Sequence, residues 1–282
     1  MRYGASTFIW VSPFSNQTMD LVDKVKSLGF DIIEICVEDP DTIETAAIRP
    51  HLDSVGLQAS VCGAFGPGRD ISSDDPVARE GGIAYIKRCV DIASALSAPS
   101  VIGPMYSAVG KTRSLSEHER EKQRLLAIEN IRLVADYAAE RGVRLAIEPL
   151  NRFETDFLNT VEQAMTFLSR VDRENVGLLL DTFHMNIEEV SIPDALRRAG
   201  SKVFHFHASA NDRGTPGRDH LPWPEIVAAL REIRYEGPVV IESFTPEVRE
   251  IARAVSIWRP LAQSQDALAR DGLGFLKTAF AA

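Results

Sequence analysis

The chain contains the run Leu145-Ala146-Ile147-Glu148, in which three apolar residues lead directly into a carboxylate. Three later runs also end on an acidic residue or a histidine: Leu178-Leu179-Leu180-Asp181, Phe204-His205-Phe206-His207 and Val239-Val240-Ile241-Glu242. Strands of a parallel sheet are buried on both faces and therefore read as nearly continuous apolar runs. The four runs are predicted strands, and each ends on a residue type that binds metal ions.

Strand and helix patterns alternate along the whole chain. The predicted strands cover Arg2–Ile9, Asp31–Val37, Leu57–Cys62, Ser100–Gly103, Arg144–Glu148, Val176–Asp181, Val203–His207 and Pro238–Glu242. A helical pattern separates each strand from the next, and residues 246–282 are predicted to be mostly helical. Eight such units predict an α/β protein that folds as a closed (β/α)8 TIM barrel.

An open, doubly wound sheet is the competing arrangement, and it would need a phosphate-binding glycine motif after an early strand. The nearest candidate, Gly63-Ala64-Phe65-Gly66-Pro67-Gly68, is a poor match because Pro67 lies among the glycines. No long linker, strong short repeat or low-complexity segment divides the sequence. Residues 1–282 are therefore predicted to form one barrel domain.

The composition disfavours several classes of protein. A hydrophobic fraction of 45% is ordinary for a soluble globular protein, and a formal net charge of −9 disfavours a nucleic-acid partner. No apolar stretch of about 18 residues predicts a membrane-spanning helix, and no signal-peptide pattern opens the sequence. The three cysteines form no CxxC pair, which favours a reducing compartment. We therefore expect a cytoplasmic protein without a membrane partner.

A barrel would bring the four strand ends together. Active sites of this fold lie at the C-terminal ends of the strands, and neighbouring strands are about 4.8 Å apart. Glu148, Asp181, His207 and Glu242 can therefore surround one ion. Three carboxylates and one imidazole are a mainly oxygen donor set, which suits Mn²⁺, Mg²⁺ or Co²⁺. Any one of them alone could be an ordinary polar residue at a barrel mouth, but four together favour a metal site.

Further polar and aromatic residues follow the strand ends. His184 and Arg213 could orient an oxyanion at the metal, although a solvated imidazole and a surface salt bridge are the plainer alternatives. Glu154 is ambiguous, because carboxylates near helix N-termini are common for structural reasons. Trp10 could form an apolar wall against the carbon face of a ligand, with core packing as the alternative.

The segment Glu148-Pro149-Leu150-Asn151-Arg152-Phe153-Glu154 resembles the fifth-strand motif of the ketose 3-epimerases, the family of D-tagatose 3-epimerase and D-psicose (D-allulose) 3-epimerase. These enzymes belong to the xylose-isomerase-like barrels. Later segments resemble the same family: Asp181–Asn186, His207 with Asn211–Gly214, and Ile241–Phe244. The similarity extends over essentially the whole chain, and Asn-Arg-Phe-Glu after Glu148 is its most specific element.

The resemblance implies a metal-dependent isomerase of carbohydrate metabolism. It implies that one divalent ion, most often Mn²⁺, is bound by Glu148, Asp181, His207 and Glu242. It further implies that Glu148 and Glu242 form the acid–base pair, and that Glu154, His184 and Arg213 contact an unphosphorylated ketose. Homodimers or homotetramers are implied as well. One departure is visible, because this chain has Ser209-Ala210 where relatives commonly carry Gly-Glu, which leaves the substrate preference open.

The residues themselves support such chemistry. A C–H group beside a ketone is a weak acid, and a divalent metal bound to neighbouring oxygens stabilises the resulting enediolate. Inverting a carbon requires that a proton be removed on one face and returned on the other, which two carboxylates can do. Glu148 and Glu242 follow different strands and can flank the substrate. We therefore expect C3 epimerisation of a free ketohexose or ketopentose through a cis-enediolate.

Other functions remain open on the sequence. An aldose–ketose isomerase or an inosose-type keto-polyol dehydratase could use the same four ligands, and a non-catalytic sugar-binding barrel is the binding alternative. A DNA-repair nuclease of this fold would need several more histidines at strand ends. His51 and His118 fall in predicted helices, whereas His220 lies in a loop near the site. His205 is expected to point to the face of its strand opposite His207. The nuclease is therefore disfavoured.

Overall fold

The computed structural model describes residues 1–281, and within this range eight parallel strands close a barrel in sequential order. The strands are β1 (Arg2–Ser6), β2 (Ile32–Val37), β3 (Gln58–Gly63), β4 (Ser100–Gly103), β5 (Arg144–Ile147), β6 (Val176–Asp181), β7 (Val203–His207) and β8 (Pro238–Ile241). The surrounding helices are α1 (Asp20–Ser27), α2 (Thr45–Val55), α3 (Pro76–Ala95), α4 (Glu117–Ala139), α5 (Val161–Val171), α6 (Thr182–Glu188), α7 (Ile192–Ala199), α8 (Trp223–Glu232), α9 (Arg249–Ala254) and α10 (Gln265–Ala281). The prediction of a (β/α)8 barrel is confirmed.

Helix α5 shows how the sequence determines these helices. Thr160 caps its first turn, because the Thr160 hydroxyl accepts the N–H of Gln163 at 3.3 Å while the Gln163 side chain accepts the N–H of Thr160. Val161, Ala164 and Leu168 recur at helical spacing and are buried toward the barrel. Among residues 1–281, no helix combines the length and apolar character that crossing a bilayer requires.

Two local predictions differ from the structure, since one strand boundary was wrong and one helix was missed, whereas the C-terminal segment is mostly helical as predicted. The first strand ends at Ser6 rather than Ile9, because the Ser6 hydroxyl accepts the N–H of Phe8 and the chain turns into a 3-10 segment. Helix α6 was not predicted. It begins directly after Asp181, whose carboxylate accepts the N–H of Phe183 at 2.8 Å and caps the helix. The C-terminal segment forms α9 and α10 with irregular chain between them.

Gly177 in β6 packs closely against the chain segment that leads into β7. A Cβ atom at Gly177 would lie 2.6 Å from the backbone oxygen of Lys202 and 2.6 Å from the Phe204 ring. We expect Gly177→Ala to lower the free energy of unfolding by about 1–3 kcal/mol, because overpacking shifts the backbone.

Gly274→Ala in α10 is the matched control. Among the described residues, nothing lies within 4 Å of a Cβ built at Gly274. The control is expected to gain roughly 0.5–1 kcal/mol, because alanine orders more readily than glycine in a helix. Denaturant unfolding of both variants measures the difference, and equal stabilities of the two would contradict the prediction.

Candidate active site

The four predicted metal ligands meet at the C-terminal ends of four successive strands. Asp181 and His207 end β6 and β7 and lie side by side in the parallel register. Glu148 and Glu242 follow the last residues of β5 and β8. Each residue offers a ligand atom, and these atoms all lie within 4.8 Å of one another. None of the four residues is more than 6% exposed.

Two buried atoms of this cluster are placed to act as ligands of a cation. Glu148 Oε1 and His207 Nδ1 are buried without a hydrogen-bond partner in the part of the chain that the structure describes. His207 Nδ1 faces the acidic residues, at 3.5 Å from Glu242 Oε2 and 4.0 Å from Asp181 Oδ2. Buried polar atoms normally have a partner. The buried Glu/Asp/His cluster could therefore hold a divalent metal ion.

The environments of Glu148 and Glu242 drive the pKa values of the two carboxyl groups apart. Burial, and then the negative charge of Glu242, raise the pKa of Glu148 well above its usual range. Burial also disfavours the charged form of Glu242, but His207 and Arg213 outweigh it and lower the pKa of Glu242 to about 2. Neighbouring carboxyl groups with separated pKa values are suited to acid and base roles.

Arg213 balances the negative charge of the cluster. It is 5% exposed, and its φ of 63° lies in the left-handed region that non-glycine residues seldom adopt. Its Nη1 donates to Asp181 Oδ2, to Glu242 Oε2 at 2.8 Å and to Ser209 Oγ at 3.1 Å. The guanidinium lies 4.0 Å from the centre of the Phe183 ring. Ser209, one of the two departures from the family motif, therefore contacts a residue predicted to bind substrate.

His184 presents a proton donor to the same space. Its Nδ1 accepts the backbone N–H of Asn151 at 3.1 Å, so a neutral ring carries its proton on Nε2. Burial, and then the charge of Arg213, lower the pKa of His184 to about 3, which keeps the ring neutral near pH 7. Nε2 lies 3.7 Å from Glu148 Oε1 and 3.1 Å from Arg213 Nη2. Arg213 can only donate, so this contact and the Asn151 bond compete for the single lone pair of a neutral ring, and an oxygen bound beside Nε2 and Nη2 would remove the conflict by accepting from both.

Asn151 links the loop after β5 to α6 and was not assigned a role from the sequence. Its side-chain amide donates to Glu154 Oε1 at 2.8 Å, while its backbone N–H holds His184. Burial raises the pKa of Glu154. Arg152 anchors the same loop, since its backbone N–H and its Nε donate to Glu188 at 2.7 and 2.9 Å. The Asn-Arg-Phe-Glu motif thus positions both Glu154 and His184.

Trp10 lies in a groove at the barrel rim. Its Nε1 donates to Asp266 Oδ1 in α10 at 2.6 Å. The groove has a volume of about 1290 Å³, and Lys24 and Thr245 also line it. Thr245 lies three residues after Glu242, so the groove adjoins the chain segment that carries one of the four ligands. The role of Trp10 in substrate binding remains a prediction.

The prediction for His205 was wrong. Residues two apart in a strand lie on the same face, and the His205 and His207 rings are 5.1 Å apart. Both rings contact Glu34, which lies in the middle of β2. Glu34 Oε1 is 2.9 Å from His207 Nε2, and Glu34 Oε2 is 2.9 Å from His205 Nε2. The sequence reasoning missed Glu34, although a lone carboxylate inside the apolar run Ile32–Val37 was a visible signal.

Comparison with known proteins agrees with the fold. The family model of the xylose isomerase-like TIM barrels matches residues 22–279. A probable ketose 3-epimerase of Synechocystis sp. is 36% identical over 280 residues, which cover 99% of this chain and 97% of the relative. The D-psicose 3-epimerase of Agrobacterium fabrum is 34% identical over 276 residues, which cover 96% and 94%.

A solved structure shows the same similarity in three dimensions. The D-allulose 3-epimerase from Methylomonas sp. in complex with D-allulose superposes with a TM-score of 0.92 at 30% sequence identity, covering 99% of this chain and 97% of that chain. The chain belongs to the xylose isomerase-like TIM-barrel family. Curated relatives at 30–36% identity are ketose 3-epimerases, which are isomerase-class enzymes, and the resemblance found in the sequence is confirmed.

Proposed function

We propose that this protein is a divalent-metal-dependent ketose 3-epimerase. Its substrates are free ketohexoses or ketopentoses of the psicose/fructose, tagatose/sorbose or ribulose/xylulose type. The observation that carries the proposal is the pair of buried carboxyl groups, Glu148 and Glu242, at one Glu/Asp/His cluster that could hold a metal ion. The names of the relatives support the choice of a ketose and of its third carbon.

The mechanism assigns the two glutamates to proton transfer at C3. A divalent ion held by Glu148, Asp181, His207 and Glu242 would supply Lewis-acid stabilisation of the enediolate. One glutamate removes the C3 proton from one face of the sugar, and the other returns a proton to the opposite face. The two glutamates follow β5 and β8, with β6 and β7 between them, which suits them to opposite faces.

The remaining polar residues bind and orient the sugar. His184 Nε2–H and the Arg213 guanidinium donate hydrogen bonds to the oxygens next to the reacting carbon, where negative charge develops. Glu154 accepts a hydrogen bond from a sugar hydroxyl, and Asn151 keeps it in place. Trp10 covers the carbon face of the sugar from the rim. This division of roles leaves Glu148 and Glu242 for the chemistry.

The identity of the metal, the oligomeric state and the cellular compartment belong to the same proposal. Mn²⁺ is the proposed ion, with Co²⁺ and Mg²⁺ as alternatives, since three of the four ligands offer oxygen. Residues 1–282 act as one domain in a homodimer or homotetramer, and the exposed Trp258 is a candidate contact of that interface. Buried cysteine thiols support a reducing compartment, the cytoplasm.

Turnover in deuterium oxide tests the proposal. EDTA treatment is expected to abolish activity on psicose, fructose, tagatose, sorbose and ribulose, and Mn²⁺ to restore it. The product is expected to be the C3 epimer with deuterium at C3, because the returned proton comes from a solvent-exchanged carboxyl group. NMR locates the label. An aldose product would favour the isomerase alternative, loss of water would favour the dehydratase, and a C3 epimer without deuterium would exclude the mechanism.

A further inference from the structure

We propose that Glu34 is a positioning residue of the metal centre. It fixes the ring of His207 so that Nδ1 faces the three carboxylates. The proposal rests on the metal site of the proposed function, and it adds a residue from the opposite side of the barrel. Glu34 is fully buried, so its carboxylate cannot be satisfied by solvent and needs partners inside the protein.

The two nitrogens of the His207 ring have different tasks. Nε2 lies 2.9 Å from Glu34 Oε1, which is an ordinary hydrogen-bond length. Nδ1 has no partner among residues 1–281 and lies 3.5 Å from Glu242 Oε2. A proton donated from Nε2 to Glu34 leaves the lone pair of Nδ1 available to a cation. A carboxylate behind a metal-binding histidine fixes the tautomer and the orientation of the ring in this way.

Glu34 is itself held in place by residues of two other strands. The Ser60 hydroxyl on β3 donates to Glu34 Oε2 at 3.2 Å. The His205 ring on β7 approaches the same oxygen at 2.9 Å. The Ser60 bond occupies Oε2 and leaves Oε1 for His207. Because β1 and β8 separate β2 from β7, the contact between Glu34 and His207 crosses the interior of the barrel.

The same three residues, Glu34, His205 and His207, could alternatively hold an ion of their own. That arrangement would require His207 to offer Nε2 to this ion while Nδ1 serves the other cluster. A neutral imidazole has one N–H and one free lone pair, so it cannot serve both without losing its last ring proton. The hydrogen-bonded arrangement needs no such loss, and we therefore assign positioning rather than a second metal site.

Metal binding to the EDTA-treated protein tests the assignment without relying on activity. The free Mn²⁺ signal in electron paramagnetic resonance gives the stoichiometry and the Kd. Wild-type protein is expected to bind one Mn²⁺ per chain. Glu34→Gln is expected to raise the Kd by about 10–100-fold, the loss typical of removing such an outer partner. Ser60→Ala, which removes one restraint on Glu34, is expected to raise it by a smaller factor.

Glu38→Gln is the matched control, since it makes the same change just beyond β2 at a carboxylate bound by Ser12. Its Kd should equal that of the wild type. The proposal is overturned if folded Glu34→Gln binds Mn²⁺ as tightly as the wild type. Should Glu34→Gln fail to fold, an unchanged Kd for Ser60→Ala overturns it. Two ions per wild-type chain, with one lost in Glu34→Gln, would establish the second metal site instead. A wild-type protein that binds none of Mn²⁺, Co²⁺ and Mg²⁺ would refute the proposed function itself.

Discussion

Glu148→Gln and Glu242→Gln are each expected to lower kcat for C3 epimerisation by about 10²–10⁴-fold at saturating Mn²⁺, because each removes one of two proton-transfer groups. Glutamine keeps the size of the side chain and a neutral oxygen ligand. The measurement must therefore be made at Mn²⁺ concentrations that saturate each variant. Glu140→Gln, at a side chain that is 76% exposed in its ion pair with Arg141, is the matched control and should keep full activity.

Hydrogen exchange at C3 distinguishes a mechanism with two proton-transfer groups from a mechanism with one. If one glutamate serves each face of the sugar, each variant keeps the base for one epimer. Glu148→Gln should then exchange the C3 hydrogen of one epimer with deuterium oxide, and Glu242→Gln that of the other, without net epimerisation. If one variant exchanged both epimers and the other exchanged neither, a single-base mechanism would replace this one.

Arg213→Met is expected to lower the free energy of unfolding of the EDTA-treated protein by about 3–5 kcal/mol. The change leaves the buried carboxylates of Asp181 and Glu242 without the guanidinium that contacts both. Mn²⁺ should recover most of this loss, because a bound cation neutralises the same carboxylates and stabilises the folded state. Denaturant unfolding with EDTA and with Mn²⁺ therefore should show a larger metal effect in the variant than in the wild type.

Arg88→Met is the control for this experiment. Arg88 also pairs with a carboxylate, that of Asp41 at 2.8 Å, but the two side chains are 55% and 83% exposed. Exposed ion pairs contribute about 0–1 kcal/mol, so a small loss that is independent of Mn²⁺ is expected. An Arg213→Met loss that is equal with and without Mn²⁺ would mean that Arg213 acts through packing on Phe183 rather than through charge balance.

The strands and their polar ends could be predicted because both signals are local. A buried parallel strand is apolar throughout, and a ligand at its end interrupts that pattern within a few residues. The partners of Glu34 and Trp10 could not be found in this way. Glu34 and His207 are 173 residues apart, and Trp10 and Asp266 are 256 apart. Their contacts depend on how the barrel closes and how α10 packs, which no short window contains.

The two oxygens of Asp181 serve different parts of the molecule. Oδ1 accepts the N–H of Phe183 at the start of α6, and Oδ2 faces Arg213 and the cluster. Fraying of this seven-residue helix and cation occupancy are therefore thermodynamically coupled through one side chain. Binding of the ion should therefore reduce fraying of α6, the helix that carries His184. The His184 imidazole would then be held rigidly for the sugar only in the metal-bound protein.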